Sequence, residues 1–540
     1  MLKKHIKYFG MFLVLLFISC AKRGSITGGL KDTIAPVLKM SFPKNYSTGF
    51  KEKTIKLSFD EFIKLKDLNK QLIISPPMKK TPQISPTTAS KYITININDT
   101  LQPNTTYSIN FGQSITDNNE GNPYKQFKYI FSTGSHIDSL SLNGTIKDAY
   151  NKKSDSFVTV MLYEINEKFT DSLIYKENPR YVTNTLDSAT SFKLENLKAG
   201  KYLLVALKDV NSNYKFNSKT EKIGFRKKYI TIPNDSVFEL KLFKEVSKFK
   251  AFKPSQASGN RMIIGYEGNP KEVKLLLKKG NDNLKAIITK FPKKDSLQVW
   301  HKPIKIDSSI KTDSLNIDIS TTNYSENFTF KIKNQKNDSL TFVAKQNSVL
   351  PLNEKFTLNS STPLLKFDTS KMQLINKDSI TVAFKTEYDE MNQELKFDFQ
   401  KEPLEKYKLK LFPGALTDYM EQTNDSLIYK FETKNISEYG NLRLKLENVK
   451  EFPVIIELTD AKGEILASSY SENNSQIDFN MLKPALFTLR VIYDVNKNKI
   501  WDSGSFLDKK QSEEVIYFSK EIDVRANWDV EQVFDLKLQN

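Results

Sequence analysis

Short runs in which apolar and polar residues alternate one for one make up most of the chain from residue 36 onward. "KYITININ" (Lys91–Asn98), "SLIYKFET" (Ser426–Thr433) and "FTLRVIYD" (Phe487–Asp494) show the pattern. A period of two puts one face of a strand in a core and the other in water. Clusters of Asn, Asp, Gly, Pro and Ser break the runs every 8–12 residues or so, the spacing of sandwich strands rather than of βα units. Amphipathic helical stretches longer than two or three turns are scarce. The pattern predicts an all-β chain of tandem β-sandwich domains, and a length of 540 residues suits four or five domains of roughly 100 residues each.

The alternation also repeats on a larger scale. "LKAGKYLLVALKDVNSNYKFNS" from Leu197 aligns without a gap on "LKPALFTLRVIYDVNKNKIWDS" from Leu482. Tyr202 falls on Phe487, Asp209 on Asp494, and Asn211 and Asn213 on Asn496 and Asn498. Upstream of each copy, "TYSINFGQSITD" with "YIFST" (Thr106–Thr133) parallels "KYKLKLFPGALTD" with "YKFET" (Lys406–Thr433). A two-domain unit used twice, with an unmatched β-rich stretch between the copies, accounts for both pairs.

The repeated loop holds the candidate chemistry. Asp209, Asn211, Asn213 and Asn217 in one copy, and Asp494, Asn496, Asn498 and Asp502 in the other, occupy positions 1, 3, 5 and 9 of a loop. Ca²⁺ takes six to eight oxygens, and an EF-type loop supplies them from those positions together with 7 and 12. Both loops lack glycine at position 6 (Tyr214, Lys499) and a carboxylate at position 12; Glu221 lies one place beyond in the first copy, and Asp508 lies further on in the second. The competing reading is an Asx-turn corner whose side chains bond their own backbone. A loop that recurs at the same place in a repeated unit belongs to the framework of that unit, which favours the corner.

Catalytic constellations are sparse. The three histidines, His5, His136 and His301, are isolated, and one cysteine cannot make a thiolate metal site or a disulfide. Phosphate-loop and nucleophile-elbow motifs do not occur, so the chain is not expected to be an enzyme. Lys plus Arg exceed Asp plus Glu by 81 to 63, but the lysines are scattered among Asn, Ser and Thr. That reads as a solvated surface rather than a nucleic-acid site.

The N-terminus opens "MLKKHIKYFGMFLVLLFISCAKRGS". A basic stretch, then an apolar run from Phe9 to Ile18, has the length of a signal-peptide core and is too short to span a bilayer. Phe17-Ile18-Ser19-Cys20 resembles a bacterial lipobox, with Phe17 where leucine is usual. The resemblance implies acylation of Cys20 and a membrane tether on an otherwise soluble chain. Ala21-Lys22-Arg23-Gly24 lack the acidic run that resembles a surface-export signal in lipoproteins of the Bacteroidetes group, which implies the periplasmic face of the outer membrane as the expected address, with surface exposure as the alternative.

"DTIAPVLKMSFPKN", "TIKLSFDEFIK", "IISPP", "LQPNTTYSINF", "ITDNNEGNP" and "FSTG" together resemble the bacterial Ig-like domain of S-layer proteins (the SbsA type). The stretches at about 138–245 and 435–540 are similar to the prealbumin-like sandwiches of carboxypeptidase regulatory domains. With the lipobox, the whole layout resembles Ig-like lipoproteins of the Bacteroidetes group. Asp-Ser/Thr-aliphatic tripeptides, such as Asp138-Ser139-Leu140 and Asp425-Ser426-Leu427, look like that group's O-glycosylation acceptors and equally like ordinary hairpin grammar. The resulting division is a signal peptide (1–19), a lipidated linker (20–35), an Ig-like domain (36–135), a prealbumin-like sandwich (136–245), a β-rich middle domain (246–350), a second Ig-like domain (351–434) and a second prealbumin-like sandwich (435–540). The expected role is a scaffold or protein-binding module of the cell envelope. The alternative is a glycan-binding lipoprotein using Trp300, Trp501, Trp528 and surface tyrosines.

Overall fold

The strand Thr54–Leu65 shows how the alternation builds the fold. Ile55, Leu57 and Phe59 are buried while Thr54, Lys56 and Asp60 face water. Its register slips between Ser58 and Ile63. Beyond the slip it pairs with a different neighbour, Ile115–Asp117. A bulge of this kind bends a strand so that it can serve two partners. The computed structural model describes residues 32–186, 190–270, 272–304 and 313–537, and nearly all of its regular structure is strand.

The first unit contains β1 (Leu38–Phe42), β2 (Thr54–Leu65), β3 (Ile73–Ser75), β4 (Gln83–Ser85), β5 (Ser90–Asn96), β6 (Thr106–Asn110), β7 (Ile115–Asp117) and β8 (Lys128–Ser132). One sheet has the order β1-β2-β5-β4 with β7 against β2; the other is β3-β6-β8. Ile55, Leu57, Ile93, Ile95, Ile109 and Phe131 meet between them. Each such side chain contributes about 1.5–3 kcal/mol when fully buried, so the unit has a core of its own.

The second unit contains β9 (Leu140–Asp148), β10 (Thr159–Glu164), β11 (Tyr181–Asn184), β12 (Ser191–Leu197), β13 (Gly200–Leu207), β14 (Ile223–Phe225), β15 (Ile230–Ile232) and β16 (Val237–Leu242). Its sheets are β12-β9-β16, closed by a parallel β9–β16 pair, and β11-β10-β13-β14. The last unit repeats this plan. Gln476–Leu482, Gly440–Glu447 and Asp529–Asp535 form the first sheet, again with a parallel closing pair. Ile465–Ser471, Val454–Thr459, Ala485–Tyr493 and Val515–Val524 form the second, in the same order. Even the register slip recurs, between Leu194 and Leu197 and between Gly440 and Leu442. Asn196 and Met481 hold left-handed backbone (φ 58° and 57°) there.

Between the copies lie two further sandwiches. The third unit centres on Met262, Ile264, Val299, Leu315 and Ile317. The fourth centres on Phe356, Leu358, Leu395, Phe397 and Leu409. Their boundary is not at 350/351. Phe342–Ala344 pairs with Phe356–Ser360, and Leu340, Phe342, Ala344 and Leu350 pack on the fourth core, which places the junction between Ile332 and Leu340. The texture of the sequence does not change across residues 333–360, so composition gave no mark of the true break. The two units are joined by polar contacts: Trp300 Nε1 donates to Thr289 Oγ1 (2.9 Å), which donates to Gln393 Oε1 (3.2 Å).

Candidate functional site

β13 ends at Leu207, and the loop that follows carries the first set of candidate ligands. Asp209 Oδ1 accepts from the Asn213 N–H (3.2 Å) and Oδ2 from the Tyr214 N–H (2.8 Å). In the second copy Asp494 Oδ1 accepts from Asn498 (3.1 Å) and Oδ2 from Lys499 (2.8 Å). Asn213 Oδ1 takes the Lys215 N–H at 2.9 Å, and Asn498 Oδ1 takes the Ile500 N–H at 3.0 Å. Positions 4 and 6 are left-handed in both copies: Ser212 (53°), Tyr214 (58°), Lys497 (60°) and Lys499 (66°). Residues with Cβ atoms hold that conformation at a cost, and the ladder of Asp-accepted bonds holds it in place.

Each loop is closed by a glutamate that the repeat alignment did not single out as a partner. Glu221 Oε1 accepts from the Val210 N–H (3.1 Å) and Oε2 from Asn217 (2.9 Å). Glu513 Oε1 accepts from Val495 (2.8 Å) and Oε2 from Asp502 (2.9 Å). Both side chains are buried. Burial pushes the carboxyl pKa of each upward, the backbone donors pull it down, and the neighbouring aspartates (Asp209; Asp502 and Asp494) add to the rise.

The remaining candidates are also engaged. Asn211 Nδ2 reaches Glu221 at 3.5 Å, and Asn217 Oδ1 accepts from Lys219 at 3.1 Å. Asp502 Oδ2 accepts from the side-chain amides of Asn496 and Asn498. Asp508 is turned toward Ser505 (2.8 Å) and takes no part in the loop's ladder. Both oxygens of Asp494 and of Glu513 thus hold main-chain donors, the arrangement of a structural corner. Among the described residues no group of three or more His, Cys, Asp or Glu side chains is placed to hold a metal ion. Cys20 lies outside the described residues.

The second loop does more than turn the chain. It continues into Ser505–Lys510, which reaches back to the second unit and sets the Phe506 ring, fully buried, into the cluster on the outer face of β10 and β13. Phe506 meets Phe225 edge to face at 5.1 Å, and Gln511 Nε2 donates to the Phe225 carbonyl (2.9 Å). A Cβ on Gly504 would collide with the Phe243 ring and the Lys510 carbonyl, so only glycine admits this approach. Beside it Trp501 packs on Tyr150 with ring centres 4.7 Å apart. Arg490, fully buried, pairs with Glu457 (2.6 Å), lies 4.0 Å from the Tyr150 ring centre and donates to the Tyr150 hydroxyl (2.6 Å). Tyr517 donates its hydroxyl proton to the Tyr150 carbonyl (2.6 Å). The two copies of the repeated sandwich are therefore docked on each other.

The first and fourth units share a second duplicated device. Tyr107 OH accepts from the Gln102 N–H (2.9 Å), and Tyr407 OH accepts from the Glu402 N–H (2.8 Å). Asp117 and Asp418, both buried, gather the N–H groups of the following turns: Asn119, Glu120, Gly121 and Asn122 in one, Met420 and Gln422 in the other. Where the first and second units meet, a cavity of about 370 Å³ is lined by Leu72, Ile73, Phe157, Val182, Asp209 and Tyr214 among others. Of the tryptophans, Trp300 is buried, Trp501 is committed to Tyr150, and Trp528 is exposed beneath Arg525.

Against known proteins, the part that matches a family model is residues 32–133. They match the bacterial Ig-like domain. That Ig-like domain is the first unit described above, about a fifth of the chain. No curated protein matches the sequence. Among solved structures, surface layer protein SbsC, domains 1–6, is similar at 11% identity over 91% of this chain and 67% of that one, with a TM-score of 0.16. The titin I-band fragment I67–I69 is similar at 9% identity over 53% and 98%, TM-score 0.13. The ICAM-5 D1–D4 ectodomain fragment is similar at 8% identity over 72% and 97%, TM-score 0.12. Scores this low carry no functional information.

Proposed function

We propose that the chain is a non-enzymatic cell-envelope protein, anchored by an acylated Cys20 on the periplasmic face of the outer membrane, whose stacked sandwiches present a binding surface to another envelope protein. One observation carries the reading: the polar groups of the duplicated loops and of the buried Arg490–Glu457 pair are spent on the protein's own construction. The duplicated aspartates and glutamates hold loop backbones, and the buried Arg490 holds two copies of one sandwich together. A body stiffened in this way suits a spacer that displays end loops and edge strands at a fixed distance from a tether. The glycan alternative draws on exposed aromatic rows; of the three tryptophans Trp528 alone is exposed, and the exposed rings of Tyr92 and Phe62 lie under lysine ammonium groups rather than forming an open stacking platform. A protein partner is the better fit. Cys20→Ala should release the chain from membranes or leave its precursor unprocessed, and cross-linking from native membranes should then recover a defined envelope protein with the wild type. A Cys20→Ala chain that stays membrane-bound with its N-terminus trimmed as in wild type would overturn the anchor.

A further inference from the structure

The outer face of the β1-β2-β5 sheet departs from the rule that a solvated sheet face is polar. Two cross-strand rows run over it, Met40–Ser58–Tyr92 and Phe42–Lys56–Thr94. Met40 is 64% exposed, Phe42 68% and Tyr92 47%; Phe62, further along β2 past the bulge, is 54% exposed. Two ammonium groups overlie the rings: Lys56 Nζ is 4.8 Å from the centre of Tyr92, and Lys91 Nζ is 5.5 Å from that of Phe62. The nearby carboxylate of Asp60 is already engaged, accepting from the Val37 N–H (2.8 Å) and lying 3.9 Å from Lys39. The face is thus apolar and aromatic, with Lys56 and Lys91 over its rings and the carboxylates near Glu61 (Asp32, Asp60, Asp117 and Glu120) confined to its Phe62 end.

We propose that this face rests on the bilayer surface, among anionic headgroups. Large apolar side chains interleaved with lysines suit the interface, where rings and methyl groups enter the headgroup layer and ammonium groups stay with phosphate. The position in the chain fits the same occupant. β1 is the first strand among the described residues, and only residues 21–31 separate Cys20 from the first of them. Eleven residues span at most about 40 Å even when fully extended. A tether so short holds the face at an effective concentration on the order of millimolar, so weak affinity suffices to keep it down. The inference rests on the lipid anchor proposed above for its biological setting, but its test does not need the anchor.

The test uses the mature chain, residues 20–540, with Cys20→Ala, so that neither acyl group nor cysteine remains. Met40→Cys then accepts an environment-sensitive fluorophore on the face, and Ile465→Cys, exposed on the last unit, serves as the distant control. With vesicles of phosphatidylcholine containing about a third phosphatidylglycerol, the probe at 40 should shift to the blue and the probe at 465 should not. In sedimentation with the same vesicles, Met40→Ser with Phe42→Ser should weaken binding at least tenfold without changing net charge, and Lys56→Glu should weaken it further. Equal shifts at both probes, or unchanged binding by the Ser variants, would mean general adhesion of a basic protein and overturn the proposal. Loss of self-association in the Ser variants, with vesicle binding intact, would assign the face to a second copy and also overturn it. A chain carrying Cys20→Ala together with Met40→Ser and Phe42→Ser that remains on cell membranes would instead count against the anchor alone.

Discussion

Asp494 accepts two main-chain donors and belongs to a ladder that holds Lys499 in left-handed backbone. Losing a side chain that caps backbone donors costs about 0.5–2 kcal/mol. Asp494→Ala should lower the stability of the last unit by that amount, equally in chelator and in millimolar calcium. A calcium-dependent rise in melting temperature that Asp502→Ala removes would show that the loop grips a cation instead. Glu513 gives a pH-dependent counterpart. Its folded pKa lies above the unfolded value because of burial, despite the backbone donors. The folded state therefore holds the proton more tightly, and the stabilisation is complete below the unfolded pKa and lost as pH rises through the folded one. Glu513→Gln removes that titration and turns an amide toward one of the two N–H groups, leaving a buried donor unmet at about 1–3 kcal/mol. The wild type should exceed the variant most at acid pH, with the gap narrowing as pH rises. Denaturant unfolding across that range reads it directly, and a gap that widens with pH would contradict the assignment.

At the scale of elements, the strands were legible because one face of each is buried, which writes a period of two into segments such as Thr54–Phe59. The duplicated loop was legible because Asp, Asn and Asn recur at fixed spacing on a continuous backbone. Of its closing glutamates, Glu221 showed only as a near miss one place beyond position 12 and Glu513 not at all, because they are fixed by space rather than spacing. Glu221 follows Asp209 by twelve residues, whereas Glu513 follows Asp494 by nineteen, and the longer segment holds Phe506. Phe506 itself reads as one more apolar residue until the outer face of β10 and β13 is seen to lack a cover there. The Arg490–Glu457 pair was hidden for a related reason. On alternating strands it looks like two solvated charges, and only the docked partner sandwich buries it. That burial sets up a prediction. Arg490→Met leaves Glu457 buried without its cation and should cost about 3–5 kcal/mol, while Arg490→Met with Glu457→Leu should recover most of it. A double variant as unstable as the single would mean that Tyr150 and Tyr517, rather than the ion pair, dominate the contact.

For the whole molecule, the docking changes what a fragment can be expected to do. A piece beginning at 352 would lose the strand Phe342–Ala344 and the Leu350 side chain from its fourth-unit core. A piece beginning at 334 keeps both and should unfold at the higher denaturant concentration. Each exposes Phe506, Trp501 and Arg490, which in the full chain are covered by the second unit. That surface should therefore find its partner in trans. Residues 36–245 and 334–540, made separately, should associate on mixing with a Kd of about 1 μM or tighter, equivalent to about 8 kcal/mol. Phe506→Ala empties a filled site in the other unit, and such a truncation costs about 3–5 kcal/mol. A loss of that size moves the Kd by two orders of magnitude or more, out of the range of ordinary calorimetry. Because Phe506 lies in a loop outside the core of its own sandwich, the variant fragment should keep its melting temperature while losing its partner. Fragments that stay apart at about 100 μM, or that bind equally well with Phe506→Ala, would mean that the intervening units, not this contact, hold the two copies together.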